Sequence, residues 1–174
     1  PSATPKKVID KNVTAVAAGY SHSLFLKKDG SLWSTGNNWL GQLGDSTNSN
    51  RSSPVRVIDA NVHSIAAGAF HSLFLKKDGS LWAMGQNENG QLGDGTNTDR
   101  SSPVNVVDAN VTFITAGYYN SFFLKNNGSL WVMGKNGGGQ FGNGTFSSQA
   151  SPVEVLSSGM VWVTWGEDHS LLSK

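Results

Sequence analysis

Cysteine is absent from the 174 residues. Disulfides and thiolate metal sites are therefore excluded, and the redox compartment is left open. Charge is sparse: charged residues make up 14% and the net charge is +1. Such a balance argues against nucleic acid as the partner, because a phosphate-binding chain advertises itself with excess lysine and arginine. No apolar run reaches the length of a membrane span. No stretch favours a helical hydrophobic period over a two-residue alternation. Proline occurs only five times, and four of the five are spaced at one regular interval. The length suits one domain with one substantial core.

What is present is a repeat of 49 residues. Pro5, Pro54, Pro103 and Pro152 mark it, as do Gly19, Gly68, Gly117 and Gly166, and Trp33, Trp82 and Trp131. The units run 5–53, 54–102 and 103–151, with a partial fourth at 152–174, and the first two are identical at 33 of 49 positions. Repeats of this size build solenoids, propellers or arrays. Within a unit, short alternating runs are separated by tight-turn residues. Asp29-Gly30, Asp78-Gly79 and Asn127-Gly128 are hairpin signals, since a primed turn requires positive φ. The pattern predicts four strands, a (13–18), b (22–27), c (31–35) and d (54–58), recurring with the period, and 5–9 as a further d strand. Four hairpin-linked strands make one propeller blade. The small residues Ala17, Ala18, Ala66 and Ala67 suit the crowded axis, so strand a is expected innermost and strand d outermost. The expected fold is all-β, a β-propeller or partial propeller of four-stranded antiparallel blades, three full units and a partial fourth, in a single domain over 1–174.

The residues that repeat in every unit (GxxHSL, DGSLWxxG and GxNxxGQLG) closely resemble the regulator of chromosome condensation (RCC1) repeat family. In unit one these include Gly19, His22, Ser23, Asp29, Gly30, Trp33, Asn38, Gln42 and Gly44. Unit three departs at Asn120, Asn127 and Phe141. The resemblance implies a β-propeller, commonly of seven blades. It leaves function open, because the family includes nucleotide exchange factors, ubiquitin-ligase domains and secreted bacterial inhibitors. It also gives a bacterial surface or secreted location as an expectation.

No unit holds a nucleophile–base pair. His22 and Ser23 are adjacent on a strand and face opposite sides, as do His71–Ser72 and His169–Ser170. No catalytic residue, cofactor or metal is assigned, and the chain reads as non-catalytic. The loops 45–50 and 94–99 have oxygen ligands but no closing glutamate, so turn chemistry explains them. Function is expected where equal units differ. The a–b turns read Tyr20-Ser21, Ala69-Phe70 and Tyr118-Tyr119, and the c–d loops begin Trp39-Leu40 and Glu88-Asn89. These form the candidate binding face, because aromatics dominate interface energetics. A protein partner is the first expectation and a glycan the alternative.

A second expectation concerns assembly. Strand arithmetic leaves the array unfinished at both ends, and bare edges invite pairing. Val8 and Ile9 in the first d segment, and Trp162, Trp165 and Leu171 in the last unit, are the candidate assembly residues. Trp165 stands where Ala18, Ala67 and Ala116 stand, which puts bulk on the inner strand. A homo-oligomer or a segment of a longer array is favoured over closure of one chain on itself.

Overall fold

A computed structural model describes residues 4, 7–9 and 11–158, together with the backbone of 162–165 and 170–173. Blade one is β1 (Val13–Ala18), β2 (His22–Lys27), β3 (Leu32–Gly36) and β4 (Arg51–Ile58). Blade two is β5 (Val62–Ala67), β6 (His71–Lys76), β7 (Leu81–Gly85) and β8 (Arg100–Val107). Blade three is β9 (Val111–Ala116), β10 (Asn120–Lys125), β11 (Leu130–Gly134) and β12 (Gln149–Leu156). Each is an antiparallel sheet in which neighbours in sequence are neighbours in space. The fourth unit contributes β13 (Trp162–Trp165) and β14 (Ser170–Ser173), paired with each other. β13 lies beside β9, as β9 lies beside β5 and β5 beside β1.

Strands a and b fall where the alternation places them. Strand c is shifted by one residue, to Leu32–Gly36. Strand d is three residues longer than predicted: β4 begins at Arg51, ahead of the proline. Proline does not open this strand because bulges between Leu32/Trp33 and Ser34/Gly36 interrupt the ladder, and an outermost strand tolerates the missing N–H. The d strand expected at 5–9 is corrected: residues 7–9 are in no strand, with Val8 55% exposed and Ile9 half-buried. Residues 5 and 6 lie outside the described residues, as do the side chains of Trp162, Trp165 and Leu171.

The b–c turn shows why its sequence recurs. The Asp29 carboxylate accepts from the Ser31 N–H (2.9 Å) and hydroxyl (2.6 Å), and the Ser31 hydroxyl accepts from the Trp33 indole N–H at 3.0 Å. Asp78 and Asn127 repeat the pattern with Ser80–Trp82 and Ser129–Trp131. The Ser31 bonds hold the Asp29 carboxyl below its usual range. Over each indole ring lies the lysine that ends strand b: Lys27, Lys76 and Lys125 sit 4.0–4.3 Å from the ring centroids. That contact is a cation–π interaction, so one lysine of each Lys-Lys or Lys-Asn pair is committed to packing.

The c–d loop is clipped by one buried asparagine. Asn87 donates to the Asp94 carboxylate (3.0 Å), the Thr96 carbonyl (2.9 Å) and the Thr98 carbonyl (3.2 Å), and accepts from the Leu92 N–H (2.9 Å). Arg100 closes the loop on Asp94 at 2.7 Å. Asn38, Asp45 and Arg51 do the same in unit one. Burial would raise the Asp45 and Asp94 carboxyls, but the threonine and arginine bonds outweigh it and hold both low. The acidic loops 45–50 and 94–99 are thus satisfied by arginine. Asn87→Ala strands several of these groups at once and is expected to cost about 2 kcal/mol, read as a lower urea midpoint with an unchanged slope.

Blades meet through alternating faces. Leu24, Leu26 and Leu32 of blade one pack against Val62, Phe74 and Met84 of blade two. Leu73, Leu75 and Leu81 of blade two pack against Ile114, Phe123 and Met133 of blade three. The clipped loop reaches across the same seam. Gly41 (φ 81°) lies so close to β8 that a Cβ there would stand 2.5 Å from the Ser101 Cα, and Gly90 (φ 79°) repeats this against Ala150. Any side chain at either position would part the blades.

Candidate functional site

The a–b turns converge at one end of the axis. The Tyr20 N–H donates to the Ala69 carbonyl (3.0 Å), and the Ala69 N–H donates to the Tyr118 carbonyl (3.2 Å). A main-chain belt therefore links the first turn position of three successive units. It places β1, β5 and β9 innermost, as the small residues of strand a predict. The second turn position is fixed by its own carbonyl: Ser21, Phe70 and Tyr119 accept from the backbone N–H groups of Asn37, Gln86 and Lys135.

On this belt the side chains gather into one aromatic cluster. Tyr20 lies 5.4 Å from Phe70 and 6.4 Å from Tyr118, centroid to centroid; Phe70 lies 6.0 Å from Tyr118, and Tyr118 4.5 Å from Tyr119. The geometries are tilted or edge-to-face, which suits ring quadrupoles. Ala69 makes the cluster possible. It is buried, and its lack of a ring lets Tyr20 of unit one meet Tyr118 of unit three across unit two. Tyr20 is 70% exposed, while Phe70, Tyr118 and Tyr119 are half-buried. The Lys135 ammonium lies 5.3 Å from the Tyr119 centroid.

The remaining candidates lie elsewhere. Trp39 is 71% exposed and, among the described residues, touches no other ring. The Leu40 N–H is held by Gln42, the Asn89 N–H by Gln91, and the Glu88 carboxylate by the Gln86 amide. Ser21 is exposed beside the cluster. The structure thus brings together Tyr20, Phe70, Tyr118 and Tyr119 on one surface and leaves the c–d residues at their own blades. Sequence reasoning passed over Phe146, which is 73% exposed. Its position in units one and two holds Asn48 and Asn97, which bond the Trp39 and Glu88 carbonyls.

The histidines pair with serine after all, one unit along. His22 Nε2 lies 2.9 Å from the Ser72 hydroxyl, and His71 Nε2 lies 2.8 Å from the Ser121 hydroxyl. The opposite-face argument holds within a unit; the contact is made across the seam, one residue beyond the repeat period. Each serine donates its proton onward, Ser72 to the Gln42 carbonyl (2.8 Å) and Ser121 to the Gln91 carbonyl (2.7 Å). The imidazole must then donate from Nε2, which assigns the neutral tautomer with a bare Nδ1. Both Nδ1 atoms are buried without a partner. A donor imidazole next to a buried serine whose proton is already given away cannot act as its base. Burial pushes the His22 pKa down to about 4. Burial, reinforced by His22, pushes that of His71 to about 3. These pairs are seam latches.

Comparison with known proteins agrees with the geometry. Two models of the regulator of chromosome condensation (RCC1) repeat match, one over residues 13–42, 62–91 and 111–140, the other over 29–75, 78–124 and 127–173. Human WBSCR16 is similar in structure at 27% identity and TM-score 0.78, over 89% of this chain and 43% of its own. Yeast RCC1 (Prp20), solved bound to Kap60, is similar at 25% identity and TM-score 0.79, over 92% and 41%. A second Saccharomyces cerevisiae Prp20p structure, at 23% identity and TM-score 0.76, covers 92% and 42% and shares the fold. The chain spans less than half the length of these relatives. No curated protein sequence matches it. The chain belongs to the RCC1 repeat family.

Proposed function

We propose that this chain is a protein-recognition module whose contact surface is the axial aromatic cluster. The observation that carries the reading is the meeting of Tyr20, Phe70, Tyr118 and Tyr119 from three units over a belt built by main chain alone. The belt that carries these side chains is made by main chain, and Tyr20 is left largely in solvent. Tyrosine and phenylalanine grouped at the centre of a surface are the composition of an interface hot spot. That yeast RCC1 was solved bound to the protein Kap60 supports a protein as the kind of ligand.

The experiment compares the wild-type chain with a Tyr20→Ala/Phe70→Ala/Tyr118→Ala variant as baits, quantifying retained proteins, alongside a glycan array. The triple variant is expected to lose at least tenfold of the specific signal while its thermal midpoint stays within a few degrees, since the belt survives. Undiminished protein retention would remove the cluster from the interface. Glycan binding by the wild type, lost in the variant, would move the reading to a carbohydrate-binding module.

A further inference from the structure

At the end of blade two opposite the aromatic turns, one residue departs from its counterparts in a way the fold does not use. Strand a of every unit carries a β-bulge there, with Thr14, His63 and Thr112 as the extra residue. In units one and three the fold occupies that side chain. The Thr14 hydroxyl donates to the Leu26 carbonyl (3.2 Å), and the Thr112 hydroxyl to the Leu124 carbonyl (3.4 Å). His63 is exposed, and its imidazole has no hydrogen-bond partner among the described residues. Bulges re-aim side chains. This one gives His63 to a groove of about 360 Å³ between blades two and three.

The groove is lined by His63, Lys76 and Lys77 of blade two and by Thr112 of blade three, with the buried Leu75 and Val111 between them. Lys76 is steadied by its indole contact, 4.0 Å from the Trp82 centroid, and Lys77 is exposed. Among the described residues neither ammonium is in an ion pair, and no carboxylate lines this groove. Asp78, next in the chain, lines a neighbouring groove that shares both lysines, and its carboxylate accepts from the Ser80 N–H and hydroxyl. Only unit two assembles the set. Unit one has Lys27-Lys28 with Thr14, and unit three has Lys125-Asn126 with Thr112.

We propose that His63, Lys76 and Lys77 form a binding site for a phosphoryl group, free or as the monoester of a small molecule. The groove offers donors and positive charge. An imidazole presents an N–H in either charge state, and an ammonium presents three. Lysine serves phosphate as a point charge. The volume lies within the range of small-molecule sites, which leaves room beside the anion for the organic part of an ester. A single phosphoryl group needs only this local charge, not the basic excess that nucleic acid demands. The site is at the opposite end of the blade from the aromatic cluster, so it stands or falls apart from the protein-recognition reading.

The test is an amide-resolved NMR titration with inorganic phosphate, against chloride at a matched ionic strength of about 0.1 M. Phosphate is expected to give saturating shifts centred on His63, Lys76, Lys77 and Thr112, with half-saturation on the order of 1 mM. His63→Thr and Lys77→Asn each install the residue that another unit uses at that position, so both should fold with the wild-type thermal midpoint. Each should weaken phosphate about threefold or more. O-Phosphoserine separates the two sources: tighter binding than inorganic phosphate assigns the site to an ester, and equal binding assigns it to the free anion. Shifts that stay linear in phosphate, or that chloride reproduces, overturn the proposal. So does a half-saturation that His63→Thr and Lys77→Asn leave unchanged.

Discussion

Replacing Phe74 with alanine lowers the folding free energy by about 3–5 kcal/mol. The ring is fully buried and stacks on Trp82 at 6.1 Å and 9°. It faces the leucines of blade one across the seam, so the truncation opens a cavity between blades, where neither sheet can collapse alone. The loss corresponds to roughly 10 °C in thermal midpoint for a chain of this size. Blade one provides the control. Phe25 has the same place in its strand but is half-buried, so Phe25→Ala should cost less than half as much in this 174-residue chain. Equal costs at the two positions would refute the assignment of the seams as the core.

Acidification from pH 7.5 to 5 is the second large effect. His22 and His71 are held neutral by burial, with pKa values about 4 and about 3 against 6.5 when unfolded. The unfolded chain therefore binds these protons first. Stability is whole above pH 6.5, falls as pH drops below it, and levels only past the folded values. By pH 5 the loss is about 2 kcal/mol for each histidine. Unit three shows the remedy, since Asn120 fills the same position, buried, and donates to the Lys135 carbonyl at 3.3 Å. A His22→Asn/His71→Asn variant should unfold with a much flatter pH profile over this window. If the wild-type midpoint fails to fall between pH 7.5 and 5, or the variant keeps the slope, the latches do not carry it.

Blade construction was legible because each of its signals is local. Asp29-Gly30 sets its turn through bonds to a serine two residues away, and the alternation of His22–Lys27 sets its own faces. Strand d escaped because its start depends on bulges opposite Leu32 and Ser34, which no pattern within 51–58 records. The histidine–serine latch escaped for a different reason: its partners are fifty residues apart, and only the stacking of one unit on the next brings them together. The aromatic turns were visible as departures from the repeat. That Tyr20, Phe70, Tyr118 and Tyr119 touch, and that Trp39 stands apart, depends on Ala69 being too small to separate them.

The belt at the axis has a consequence for how such a surface diversifies. Its bonds run from amide to carbonyl, so both tyrosine and alanine occupy the first turn position. Turn composition can therefore drift, or be randomised in a library, without touching the blade that carries it. Each added unit brings two more letters to one contiguous patch, with a small residue such as buried Ala69 required wherever rings of alternate units are to meet. Duplication of an identical 49-residue cassette thus supplies raw material for new specificities at almost no folding risk, and the axial turns are where an engineer would write them.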